Sequence, residues 1–239
     1  MRRILTLTAQ CIVAVTATMS ALSMQFTSPE AAARYAEKEM QKTLAKALEP
    51  TEESWAFLGR VYDAIRSCAE ENLQETAQKL VTTEGLTTPE QLAEKLEGVF
   101  QKALSALEKT SEEKTGDAYD RQENHIAFVR VAVAMVMIRK LPRPETRMLF
   151  ETHILSKDKR VQKMAMQNYL YLAGAEAIPF LQKSIMNGRL DEQNRHDLLQ
   201  ILSLVFIPSL QEKNKTDDVT KFTAFQNEIK QADKTKGEN

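Results

Sequence analysis

The sequence predicts an all-α protein, and three observations carry that reading. No segment alternates apolar and polar residues long enough to make a strand, while the i, i+3, i+4, i+7 spacing of an amphipathic helix recurs from residue 29 to residue 206. Helix starts (Ser or Thr before Pro and Glu) and helix stops (Gly or Pro) punctuate that pattern at short intervals. The composition agrees: 239 residues with 43% hydrophobic residues and only 7 Gly, 7 Pro and 2 Cys exclude a collagen, a disulfide scaffold and a Pro/Gly-rich disordered chain. With 32 Lys+Arg against 33 Asp+Glu, the chain also lacks the basic excess of a general nucleic-acid binder.

Residues 1–23 stand apart. Arg2 and Arg3 precede a run from Ile4 to Ala21 without a charge, and Ala21-Leu22-Ser23 supplies small side chains ahead of Met24. This pattern resembles a secretory signal peptide, cut within the small residues that follow the apolar run. Two other readings stay open. Residues 4–24 approach the length of a membrane anchor, although Thr6, Thr8, Gln10, Thr16, Thr18 and Ser20 dilute the run, and a buried N-terminal helix is the third reading. Cys11 sits in mid-run after Gln10, which excludes a lipoprotein. Cleavage leaves 30 basic against 33 acidic residues, a net charge of −3, with Cys68 as the lone thiol. Cys68 then reads as a small core hydrophobe, on one stripe with Leu58, Val61, Ile65 and Ala69.

Residues 29–107 predict an antiparallel helical bundle. Ser28-Pro29-Glu30 opens a helix carrying Met40, Leu44, Ala47 and Leu48, which stops before Pro50. A second starts at Thr51-Glu52-Glu53-Ser54, turns Trp55, Leu58, Val61, Tyr62 and Ile65 inward, and is expected to reach about Leu80. Thr88-Pro89-Glu90 starts a third, with Leu92, Leu96, Val99, Phe100, Ala103, Leu104 and Leu107 on its stripe. Residues 108–124 are polar and charged, so they read as a linker that crosses solvent as a loop or a frayed helix end.

From 125 to 210 the chain reads as a second helical region. Ile126 to Ile138 is apolar except for Arg130 and must be covered on several sides. Leu141-Pro142-Arg143-Pro144-Glu145 separates it from a helix bearing Met148, Leu149, His153, Ile154 and Leu155. Asp158 or Ser156 caps the next, whose stripe is Val161, Met164, Ala165, Asn168, Tyr169 and Leu172. Gly174 ends it, Ile178-Pro179-Phe180-Leu181 begins another, and Gly188 ends that one. A last core helix from about Asp191 turns Leu198, Leu199, Ile201, Leu202 and Val205 inward until Pro208 closes it.

Asp158-Lys159-Arg160-Val161, then Gly174, then Ile178-Pro179-Phe180-Leu181 resemble the HEAT-type helical repeat, in which an Asp and an Arg-Val pair open the first helix and Ile-Pro-x-Leu the second. The resemblance covers 158–188 well, 121–157 and 189–210 loosely, and the N-terminal half not at all. Spacings of 30 and 35 between Arg130, Arg160 and Arg195 are near the period of such repeats. The resemblance implies a short HEAT-like α-solenoid over 125–210 that binds other macromolecules through a helical surface, with no catalytic residue to carry over.

Chemistry-bearing motifs are sparse. His125, His153 and His196 lack metal-ligand spacing, and neither a phosphate-cradling Gly loop nor a Gly-x-Ser-x-Gly elbow occurs. The expectation is therefore a non-enzyme without cofactor or metal. Arg139, Lys140, Arg143, Arg147, Lys157, Lys159, Arg160 and Lys163 cluster, either as solvated helix ends or as a contact ridge for an acidic protein or anionic surface; the first is the better reading. In the tail, 211–239, Asp217-Asp218 caps an amphipathic helix with Val219, Phe222, Phe225 and Ile229 on one side. That helix either caps the repeats or is offered to a partner groove, the cap being favoured. Disorder is expected from Asp233 onward.

Together these readings predict an exported, bacterial, protein-binding or scaffolding module, periplasmic or secreted. Its candidate contacts are Arg143, Arg147, Lys159, Arg160, Lys163, Phe222 and Phe225. A protein partner is expected and nucleic acid is not; a membrane is touched only if residues 4–24 remain as an anchor in the inner membrane. The rival reading is a helical enzyme or small-molecule carrier enclosing an apolar pocket.

Overall fold

A computed structural model describes residues 29–66, 68–112 and 118–237. The signal-peptide segment 1–23, with Cys11, and the Ser28 cap lie outside these described residues. The fold is all-α, with no strand among the described residues. Two compact units divide between Arg143 and Pro144.

The first unit holds α1 (Pro29–Ala47), α2 (Glu53–Arg66), a 3-10 turn (Glu70–Asn72), α3 (Leu73–Thr83), α4 (Pro89–Glu112) and α5 (Ala118–Lys140). Within Ile126–Ile138 every residue of α5 is buried except Val129 and Arg130. The reason is its position: α1, α2 and α4 all pack on α5, so an apolar stripe on one side would not suffice. The helices α4 and α5 run antiparallel, since Asn124 Nδ2 donates to Thr110 Oγ1 (3.0 Å) at one end and Arg143 reaches Glu97 at the other.

One expectation is corrected in this unit. The second helix does not run to Leu80; it ends at Arg66, and Ala69 is extended (φ −70°, ψ 150°). Glu70-Glu71-Asn72 offers nothing to bury, so the chain turns before Ala77, Leu80 and Val81 enter the core from α3. Cys68 therefore leaves the stripe. It is half-buried in the joint, its Sγ 3.1 Å from Thr76 Oγ1.

In the charged run 108–124, residues 113–117 lie outside the described residues. Its described residues extend α4 to Glu112 and open α5 at Ala118, and the division between units falls at Arg143 and Pro144 instead. The helix expected to head the 125–210 array thus belongs to the first unit. Polar side chains record exposure to solvent, and a helix end satisfies its backbone within itself as well as a loop does with water.

The second unit comprises α6 (Thr146–His153), α7 (Lys159–Ala173), a 3-10 turn (Gly174–Ala177), α8 (Ile178–Met186), α9 (Glu192–Ile201), a π-helical turn (Leu202–Phe206), α10 (Ile207–Glu212) and α11 (Thr216–Gly237). Its punctuation follows the sequence closely. Asp158 caps α7, its carboxylate accepting from the N–H groups of Arg160 (2.8 Å) and Val161 (3.3 Å). Gly174 takes φ +54° and ψ −139° where α7 stops, a backbone region essentially confined to glycine. Asp191 caps α9 through the N–H of Asn194 (2.8 Å).

Pro208 does not close the run. The helix widens into the π turn, where the N–H of Ile207 reaches back five residues to the carbonyl of Leu202, and continues to Glu212. A wide turn opens the space in which the proline ring would otherwise meet the preceding turn. The inserted residue also shifts the stripe: Phe206 is buried where Val205 was expected, and Leu204 is 74% exposed; Leu199, upstream of the turn, is only half-buried.

The tail is part of this core. Phe222, Phe225 and Ile229 are buried, and Tyr171, Phe206 and Phe222 form an edge-to-face series with centroids 5.1 and 4.8 Å apart. Backbone expected to be disordered from Asp233 is helical to Gly237.

Candidate functional site

One face of α7 repeats every fourth residue: Lys159, Lys163, Gln167, Tyr171. Lys159 Nζ donates to Asp191 Oδ2 (2.9 Å) and Asn194 Oδ1 (2.7 Å). Lys163 reaches Asp197 and Gln200. Tyr171 lies against Phe206. Residue numbers rise together on both sides, so α7 and the helix formed by α9, the π turn and α10 pack in parallel, joined by a ladder of side-chain rungs. Gln167 lies between two of these rungs, at the level of the π turn. It is 3% exposed, and its Nε2 is the buried side-chain nitrogen without a hydrogen-bond partner among the described residues.

Of the cluster read as solvated helix ends, with a contact ridge as the alternative, Lys159 and Lys163 are engaged by acids of the neighbouring helix. Arg160 folds back onto Asp158 (2.8 Å) and Arg147 pairs with Glu176 (2.6 Å). Arg143 belongs to the other unit, held by Glu97 (2.6 Å) and Glu94 (3.2 Å). Phe222 and Phe225, 0% and 2% exposed, are withdrawn from any surface contact in this conformation.

Electrostatics strengthens the caps. Burial pushes the Asp158 carboxyl upward, yet the Arg160 guanidinium and two helix N–H groups outweigh it and leave it below its ordinary value. Asp191 is lowered by the Asn194 N–H and then by Lys159. On the other side of α7, the Tyr169 hydroxyl donates to Glu151 Oε1 (2.6 Å), and burial together with that carboxylate raises the phenol well above its usual range. Burial lowers His153.

Sequence reasoning passed over the residues that do present apolar surface: Met186 (84% exposed), Leu204 (74%) and Met148 (63%). Met148 reads only as one of the apolar residues its helix bears, and Leu204 is turned outward by the π turn, for which the only sequence signal is Pro208 four residues on. The three histidines fall on α5, α6 and α9, and no group of three or more His, Cys, Asp or Glu is placed to hold a metal ion among the described residues. No helix of the described residues is long and apolar enough to cross a membrane.

Comparison with family models, curated proteins and solved structures returns no match.

Proposed function

We propose that the chain is an exported, non-catalytic helical-repeat protein whose second unit acts as a protein-binding or scaffolding module of HEAT-like build. The observation that carries this reading is the parallel ladder between α7 and α9. With Gln182 of α8 donating to Glu228 of α11 (2.7 Å), it supports two helical hairpins whose first helices pack side by side in one direction, as in a repeat array. Such an array holds its outer side chains on rigid elements, which lowers the ordering cost of binding. Met186 and Leu204 are exposed apolar side chains with which this unit would meet a partner.

The test is co-purification with chemical crosslinking from the extracytoplasmic fraction, comparing the native chain with Met186→Glu and Leu204→Glu. A crosslinked polypeptide that is lost in either variant while helicity is unchanged supports the proposal. Recovery of a bound small molecule and no polypeptide overturns it. Mass measurement of the mature protein tests export: the intact 239-residue mass would exclude cleavage.

A further inference from the structure

Arg130 interrupts the buried run of α5, and its surroundings fix it closely. Its Nε donates to the carbonyl of Ala47 (2.9 Å), the last residue of α1, where the helix presents its negative pole. Its guanidinium carbon lies 4.1 Å from the centre of the Trp55 ring, close enough for a cation–π contact. The indole is held in turn, since Trp55 Nε1 donates to Glu52 Oε1 (3.2 Å), and Glu52 also takes Lys102.

What remains is the open end of the guanidinium. No hydrogen bond or ion pair engages its two terminal nitrogens among the described residues, and neither is sealed from solvent. Glu49, Glu52 and Glu123 act on Arg130 through space without bonding to it. A half-buried arginine with its inner nitrogen anchored, its plane against an aromatic ring and its fork free is preorganised for a planar acceptor with two oxygens.

We propose that Arg130 is a receptor for a carboxylate of a partner polypeptide, taken in bidentate fashion on its two terminal nitrogens. The planarity of a carboxylate selects the class: its two oxygens match the guanidinium fork in two parallel, in-plane bonds. The proposal is independent of the repeat reading of the second unit.

Trp55 is the single tryptophan of the chain and reports on the site directly. The full chain is titrated with N-acetyl-aspartate amide, inorganic phosphate and chloride at constant ionic strength, following Trp55 emission. Saturation by the carboxylate, weaker response to phosphate and none to chloride is expected. Arg130→Gln should abolish the saturable change, and Arg130→Lys, which keeps the charge without the fork, should weaken it about tenfold. A response shared by chloride, or one that persists in Arg130→Gln, overturns the proposal, and phosphate binding tighter than the carboxylate overturns its choice of ligand. Should Arg130→Gln fail to fold, the Arg130 Nε–H resonance of the unaltered chain decides: no shift on adding the carboxylate refutes the assignment.

Discussion

At the scale of the residue, Asp158 at the cap of α7 and Gln167 inside it contribute opposite effects to one helix. The Gln167 amide nitrogen is buried without an acceptor, a condition that costs about 1–3 kcal/mol. Gln167→Met keeps the length of the side chain and removes the unsatisfied donor, so the variant should be more stable by about 1 kcal/mol in urea unfolding. A loss of stability there would mean that the amide has a partner in solution. Asp158 is the reverse case: as an N-cap its replacement by Ala should cost about 1 kcal/mol. Its folded carboxyl titrates below the unfolded one, so its contribution is present above the unfolded value of about 3.9 and is lost as pH falls through the lower folded value. Asp158→Asn keeps an N-cap acceptor without the charge. Its midpoint should therefore fall less than that of the native chain between pH 5 and acid unfolding, which parallel pH titrations of the two proteins would measure.

At the scale of the element, Phe222 decides what α11 is. A solvent-facing docking helix would tolerate Phe222→Ala, whereas a side chain with no exposure and a ring 4.8 Å from Phe206 should lose about 3–5 kcal/mol. The denaturant midpoint checks it. The tail's burial was legible, because two phenylalanines in a polar segment need a cover. So were the starts at Asp158 and Asp191 and the stop at Gly174, where local chemistry suffices. Less legible was everything that depends on a neighbour. The Cys68 joint looked helical because periodicity continues a stripe that nothing is there to receive. Pro208 looked final because a wide turn has no composition of its own. Of the candidate contacts, the lysines were recognised as a cluster, but the acids that engage them arrive from a helix some 30 residues later, and no local pattern announces that pairing.

At the scale of the whole molecule, the division at Arg143 and Pro144 gives each unit a core of its own. Trp55 lies in the first and is the only tryptophan, while backbone helicity sums over both. Urea unfolding followed by Trp55 emission and by far-UV circular dichroism should therefore separate in Phe222→Ala: the dichroism transition moves to lower urea and the emission transition stays in place. Coincident shifts would show that the two cores melt as one.

The rungs between α7 and α9 also act as a vernier. Lys159 and Lys163 are one turn apart, and sliding one helix along the other by that turn, about 5.4 Å, would put Lys163 opposite the Asp191 end and take Lys159 away from its present partners. The same step would slip Tyr171 off Phe206. The observed register is therefore the one in which all three rungs are made at once, and a one-turn slide would keep no more than one of them.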